Sequence, residues 1–212
     1  NTATLEVVSA NPERLRAVIS IDKDATESDL ASYHAQGVRG IRVNVVDSGG
    51  MTFSSIDEAL AFTARIKDFG WHIEFLAHVE TFEDIGSILA ASHVPVVFGH
   101  LGYTKVTKGT DDIGFQRFLD AFQEGAVWVK LTGPYRISNL DRFPYSDVTN
   151  MAQALIEANP DRLLWGSDWP HVRHVGVMPN DTDLLEQLSS WGCDTSLRKQ
   201  ILVDNPAFLY GF

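Results

Sequence analysis

The sequence has one cysteine, Cys193, so it closes no disulfide within the chain and supplies no cluster of thiolate metal ligands. A lone thiol fits a reducing compartment, and the expected location is cytoplasmic. Basic residues are in deficit: 17 Lys and Arg stand against 28 Asp and Glu, a net charge of −11. No basic run occurs, which argues against nucleic acid and anionic membrane as partners. No apolar run is long enough to span a membrane, and no signal peptide is visible. The Gly-x-Ser-x-Gly elbow, the Walker loop and the dinucleotide fingerprint are all missing. No repeat of solenoid period, low-complexity segment or linker divides the chain. What remains is 212 residues, 44% of them hydrophobic, enough for one domain with a real core. An anionic ligand would have to be held by locally placed arginines, against the field of the whole molecule.

The segment 162–171 organises the rest. Leu163, Leu164 and Trp165 read as a buried strand that stops at Gly166-Ser167-Asp168. Pro170 forbids further ladder pairing. A carboxylate, Asp168, therefore sits at a strand mouth, with His171 three residues on. Earlier segments end in the same manner. Residues 15–21, 40–46, 71–79, 94–99 and 127–132 also read as strands. Between them lie helices. One follows the capping box Thr26-Glu27-Ser28-Asp29 as far as Gln36, with Gly37 as its C-cap. Another opens at Ser55-Ile56-Asp57-Glu58 and runs to Phe69, stopped by Gly70. Others span 81–92, 146–158, 181–191 and 195–204; one ends at Gly125, and residues 4–9 resemble a helix tail. Gly49-Gly50 reads as a loop.

Strands and helices alternate at intervals of roughly 23 to 35 residues, the pattern of repeated βα units with parallel strands. Six units are visible, and an eight-stranded barrel needs two more. Either the sheet is open and doubly wound, or the first two units of a barrel precede Asn1. The chain enters helix-like sequence directly at Asn1, without Met, so a fragment or a processed chain is expected.

Polar residues collect at the strand ends: Asp22, Arg42 with Asn44, His78, His100, Arg136 and Asp168. Parallel strands would gather them at one end of the sheet. Arginine and histidine do not cap helix N-termini, so helix capping does not account for the set. Asp168 is the candidate general base; the alternative is a structural carboxylate on backbone amides. His100 could polarise a carbonyl, bind metal or orient water, or else be satisfied by nearby backbone. His78 is a weaker candidate because its place in the strand alternation is ambiguous. His171 could touch ligand or cap a loop. Arg42 points inward with Asn44, opposite Ile41, Val43 and Val45, and so needs a carboxylate or a substrate anion. Arg136 is placed to grip a carboxylate; for both arginines the plain alternative is an internal salt bridge. Arg39 reads as facing helix or solvent, and Cys193 as a buried or idle thiol. Trp71, Trp128 and Trp165 read as packing between barrel and helices.

Four segments carry a resemblance. Leu164-Trp165-Gly166-Ser167-Asp168-Trp169-Pro170-His171 resembles the last-strand signature of the amidohydrolase superfamily of metal-dependent hydrolases. Gly37-Val38-Arg39-Gly40-Ile41-Arg42-Val43-Asn44, Val97-Phe98-Gly99-His100-Leu101-Gly102 and Val129-Lys130-Leu131-Thr132-Gly133-Pro134-Tyr135-Arg136 resemble its fourth, sixth and seventh strands. Within the superfamily the chain looks most like the 2-pyrone-4,6-dicarboxylate lactonase and sugar lactonase branch. The resemblance implies an α/β fold, a distorted (βα)8 TIM-type barrel of which about six units are present. Residues 1–212 would be a single barrel domain lacking the first two βα units. It implies that Asp168 activates water and that His100 stands at the catalytic centre. Arg42 and Arg136 would hold substrate carboxylates, with His171 beside them; Asn44, facing inward with Arg42, joins the expected substrate-binding set.

Two departures follow. The family's first-strand His-x-His pair is missing, and His171 and His174 do not replace it. His78 lies slightly late for the strand-five histidine of metal-dependent members. The expected function is a hydrolase that opens a lactone or related cyclic ester of a small carboxylated substrate, with no cofactor required. The alternative is a zinc- or manganese-dependent decarboxylase or amidohydrolase using His78, Asp168 and upstream histidines. A third reading, from another class, is a non-catalytic small-molecule binding protein. A homo-oligomer is compatible with all three.

Overall fold

The computed structural model describes residues 1–47 and 52–212. The Gly49-Gly50 loop lies outside the described residues. Among them, six strands form one parallel sheet: β1 (Ala17–Ile19), β2 (Val38–Asn44), β3 (His72–Leu76), β4 (Val96–Phe98), β5 (Val127–Thr132) and β6 (Leu163–Gly166). The strands neighbour one another in chain order. A doubly wound sheet reverses its order at a switch point, and this one does not. Residues from β2 and residues just past β6, four strands apart, line one cleft, and Arg173 beyond β6 pairs with Asp47 beyond β2. On a flat sheet those strands would stand about 19 Å apart, at ~4.8 Å per step. The sheet is therefore curled into part of a distorted barrel.

The helices are α1 (Thr2–Ser9), α2 (Glu27–Ala35), α3 (Ile56–Ile66), α4 (Ile85–Ala91), α5 (Ile113–Gln123), α6 (Thr149–Ala158), α7 (Asp181–Ser190), α8 (Thr195–Lys199) and α9 (Asn205–Tyr210). Helices α1 to α8 lie outside the sheet, and α9 closes the bottom of its concave side. Their starts follow the sequence chemistry. Thr26 and Asp29 close a reciprocal capping box on α2, and the Ser55 side chain accepts from the Glu58 N–H on α3. The Asp112 carboxylate accepts from two N–H groups at the start of α5. That helix then buries Phe115, Phe118 and Phe122 against the outward strand residues Phe98 and Val129. Each such side chain contributes about 1.5–3 kcal/mol by leaving water.

The concave side has a different composition. A small separate core of Val97, Trp128, Leu164 and Leu209 forms its floor, and α9 brings Leu209 to it. Trp128 thus lies inside the curl, not between barrel and helices, because strand alternation turns it opposite to Val127 and Val129. Above the floor Glu74 is paired with both Arg42 and Lys130. Above that layer lies the mouth.

Several boundaries differ from the sequence reading. The helix expected from Thr81 begins at Ile85. The Thr81 hydroxyl donates back to the His78 carbonyl at 2.7 Å, while Asp84 supplies the real cap, accepting from the Ser87 N–H at 3.0 Å. The third strand ends at Leu76 rather than Val79, and α3 gives way at Ile66 to a 3-10 turn, Lys67–Phe69. No helix among the described residues is long and apolar enough to cross a membrane.

Candidate active site

Asp168 follows β6 in a left-handed conformation, φ 66°, that carboxamides and carboxylates tolerate better than other side chains. This turn swings its carboxylate into the mouth. Across from it, Gly133 ends β5 with φ 54°, and Pro134–Arg136 make one 3-10 turn. That turn aims two successive side chains at the same oxygen. Oδ2 of Asp168 accepts from Nε of Arg136 and from the Tyr135 hydroxyl at 2.6 Å. Oδ1 accepts no hydrogen bond from the described residues; it faces Nε2 of His100 at 3.9 Å. Gly133 lies between these groups. A Cβ there would come within 2.8 Å of Asp168 Oδ2 and 2.9 Å of His100 Nδ1. The space that glycine leaves is what lets the two side chains converge.

His100 begins the loop after β4 and is buried. Its backbone N–H donates to the Thr132 hydroxyl at 3.2 Å; its Nδ1 stands 2.9 Å from the same oxygen and, at a longer 3.3 Å, near the Thr132 carbonyl. Having accepted one proton, the hydroxyl is free to donate its own to Nδ1. In that tautomer Nε2–H is directed toward the Asp168 carboxylate. Burial lowers the His100 pKa to about 4; Asp168 opposes the shift, and Arg136 and Arg42 add to it. The ring is therefore neutral at physiological pH. Burial, with the adjacent Asp168, pushes the Tyr135 phenol up, so it stays a donor.

Asp168, His100, Arg136, Arg42 and Asn44 all line one cleft of about 490 Å³, together with Asp47, Tyr103 and Arg173. Three arginines thus surround a mouth in a protein of net charge −11. A smaller chamber of about 190 Å³ continues below, toward Glu74 and Lys130. A larger cleft of about 650 Å³, lined by Trp128, Arg162 and Phe208, opens near the N-terminal ends of β5 and β6, away from this chemistry.

Not every expected site residue faces the mouth. His171 is buried behind Asp168: its Nδ1 is 2.9 Å from the Tyr135 hydroxyl and its Nε2 is 3.1 Å from Asp181 Oδ1. Asn44 lines the cleft but is occupied locally, accepting from the Val46 and Asp47 N–H groups and donating to the Asp47 carboxylate at 2.9 Å. Asp22 binds the Asp24 N–H and takes no part. His78 lies past the end of β3 and turns its Nδ1 to the Tyr103 carbonyl at 2.9 Å. Among the described residues no group of three His, Cys, Asp or Glu side chains could hold a metal ion.

Sequence reasoning missed Glu74 and Lys130 as a pair, and it missed Thr132, Tyr135 and Asp181. Lys130 gave a usable signal: a lysine inside an otherwise apolar strand requires a buried carboxylate.

A family model described as amidohydrolase matches residues 1–212. The chain belongs to the amidohydrolase family. A relative at 35% identity is 4-sulfomuconolactone hydrolase of Rhizobium radiobacter; the match covers 100% of this chain and 71% of that protein. A second, at 32%, is 2-pyrone-4,6-dicarboxylate hydrolase of Comamonas testosteroni, with 99% and 71% covered. Among solved structures, a probable 2-pyrone-4,6-dicarboxylic acid hydrolase of Acinetobacter baumannii with citric acid bound superposes with a TM-score of 0.84 at 26% identity. That match covers 100% of this chain and 79% of the other. Family membership, with hydrolase-named relatives at 32–35% identity over essentially the whole chain, makes this chain a lactonase-like enzyme.

Proposed function

We propose that this amidohydrolase opens the lactone ring of a small carboxylated substrate, with Asp168 as the base. The observation that carries the reading is the division of labour on one carboxylate. Oδ2 is saturated by Arg136 and Tyr135, whereas Oδ1 is left open toward His100 across 3.9 Å. A water that donates to Oδ1 would be held beside a neutral imidazole N–H. Asp168 takes the proton as the water oxygen attacks the lactone carbonyl. The Nε2–H of His100 donates to the carbonyl oxygen as charge develops there. The carbon–oxygen bond of the ring then breaks, and the leaving oxygen recovers the proton from Asp168. Arg42, Arg136 and Arg173 supply the positive field that holds substrate carboxylates. The names of the two curated relatives, both hydrolases of anionic rings, and citric acid in a structural neighbour support a polyanionic substrate.

The test is ring opening of 2-pyrone-4,6-dicarboxylate and of 4-sulfomuconolactone, followed by absorbance. Wild-type protein should turn over at least one of them. Asp168→Asn should lose about 10²–10⁴-fold in kcat, the range that a positioned base supplies. An Asn variant as fast as wild type would sink the assignment.

A further inference from the structure

The mouth of the site is backed by a chain of hydrogen bonds that the reaction as written does not use. It runs from Asp168 Oδ2 to the Tyr135 hydroxyl at 2.6 Å, from that hydroxyl to His171 Nδ1 at 2.9 Å, and from His171 Nε2 to Asp181 Oδ1 at 3.1 Å. Tyr135 and His171 are buried; Asp181, in the first turn of α7, is about half exposed. Other charged or titratable groups against this chain include Arg136, whose guanidinium lies 5.5 Å from the Tyr135 ring centre, His174 and Tyr145, whose ring centres lie 4.7 and 6.0 Å from it, and His100, 3.9 Å from Asp168 Oδ1.

Proton accounting fixes the direction of these bonds. A tyrosine hydroxyl has one proton to give. While Asp168 is ionised, that proton belongs on Oδ2, because two oxygen lone pairs at 2.6 Å would otherwise repel. Tyr135 then has no proton for His171 and must accept one, so Nδ1 carries hydrogen. Nε2 faces a carboxylate oxygen at 3.1 Å and must carry hydrogen for the same reason. Every donor and acceptor along the chain is satisfied when His171 carries both ring protons between two acceptors.

We propose that His171 and Asp181 are positioning residues that act through Tyr135 to select which oxygen of Asp168 is the base. Asp181 orients His171, which donates to the Tyr135 oxygen. That donation commits the Tyr135 proton to Oδ2 and leaves Oδ1 as the open acceptor for water. The logic is that of an oriented acid–base triad, extended by one phenol. The proposal rests on the reading of Asp168 as the base, but the chain itself is observable without substrate.

The experiment combines ¹⁵N-histidine NMR with kinetics on 2-pyrone-4,6-dicarboxylate, using wild type, Asp181→Asn, Asp181→Glu and Tyr135→Phe. In wild-type protein, with Asp168 and Asp181 ionised, both His171 ring nitrogens should give the protonated signature. Asp181→Asn should remove it, Asp181→Glu should restore it, and Tyr135→Phe should shift Nδ1. In parallel, kcat should fall about tenfold or more in Tyr135→Phe and Asp181→Asn while KM stays within about twofold. A singly protonated His171 in wild type overturns the proposal. So does an Asp181→Asn variant with unchanged ring signals, or a Tyr135→Phe variant that changes KM and not kcat. If the NMR signatures hold but wild type opens no lactone, the chain stands and the lactonase reading fails.

Discussion

Gly133→Ala isolates the geometric claim at the centre of the site. Two effects are superposed in that substitution. The first is conformational: Gly133 sits at φ 54°, where an L side chain costs about 1–2 kcal/mol. The second is steric. The new Cβ would meet Asp168 Oδ2 at 2.8 Å and His100 Nδ1 at 2.9 Å, both inside normal contact. Neither neighbour can retreat alone. Asp168 is tied to Arg136 and Tyr135, and His100 to Thr132. The pair must separate by several tenths of an ångström or more, and displacements approaching 1 Å cost about 10²-fold in rate. Gly70→Ala supplies the control. Gly70 has φ 67° but no atom within 4 Å of the added Cβ. Both variants should lose stability, by about 2–8 °C in Tm for 1–2 kcal/mol in a chain of this size. Gly133→Ala alone should lose kcat, by about 10–100-fold. The assay is a thermal melt beside steady-state ring opening of 2-pyrone-4,6-dicarboxylate. A Gly133→Ala enzyme with kcat within twofold of Gly70→Ala would refute the convergence of Asp168 and His100 as the working geometry.

Two further outcomes follow from the layer beneath the site. Glu74 is 2% exposed and holds Arg42 and Lys130 together; burial alone would raise its carboxyl, but the two cations outweigh it and hold the group below the usual range. Glu74→Gln strands both cations and should cost about 3 kcal/mol, the low end for a broken buried pair, because Arg42 and Lys130 keep some contact with water. Chemical denaturation measures it, and a loss under about 1 kcal/mol would show that the cluster is not structural. The pH dependence of stability is set in part by His72, which is buried with no hydrogen-bond partner for its ring nitrogens among the described residues. Burial, against the pull of Glu74, lowers its pKa from 6.5 to about 4. Between those values the unfolded chain binds more protons than the folded one, so stability is full above pH 6.5 and is lost as pH falls toward 4. His100 is lowered to the same value and acts in the same window. His72→Leu should flatten the slope of unfolding free energy across that window; an unchanged slope would remove His72 as a contributor.

How much of this was legible in the sequence depends on the distance over which each constraint acts. Strands β2 to β6 were readable because each is an apolar run closed by a polar or glycine signal, and the alternation of Arg42 and Asn44 against Ile41 and Val43 placed the first two on the concave side. The gathering of Arg42, His100, Arg136 and Asp168 followed from parallel strands alone. What failed were short-range competitions. Thr81 looked like a cap but donates to the carbonyl three residues back, and His78 was read as part of a strand that stops at Leu76. The residues alone leave His171 open between touching ligand and capping a loop, and it is the resemblance that puts it in the substrate-binding set. The chain turns there, the His171 N–H donating to the Asp168 carbonyl at 2.8 Å, and the ring lies behind the carboxylate against Tyr135 and Asp181. Its partner Asp181 stands ten residues on, across irregular chain, at a spacing that no helical or strand period links. Tyr135 illustrates the same limit from the other side: it is visible within the motif but carries no role there, since a phenol has one proton and its direction depends on which two partners the fold brings within 3 Å. Sequence periodicity reports which face a residue is on. The direction of a shared proton is set by partners from three separate segments, and only the folded chain supplies them.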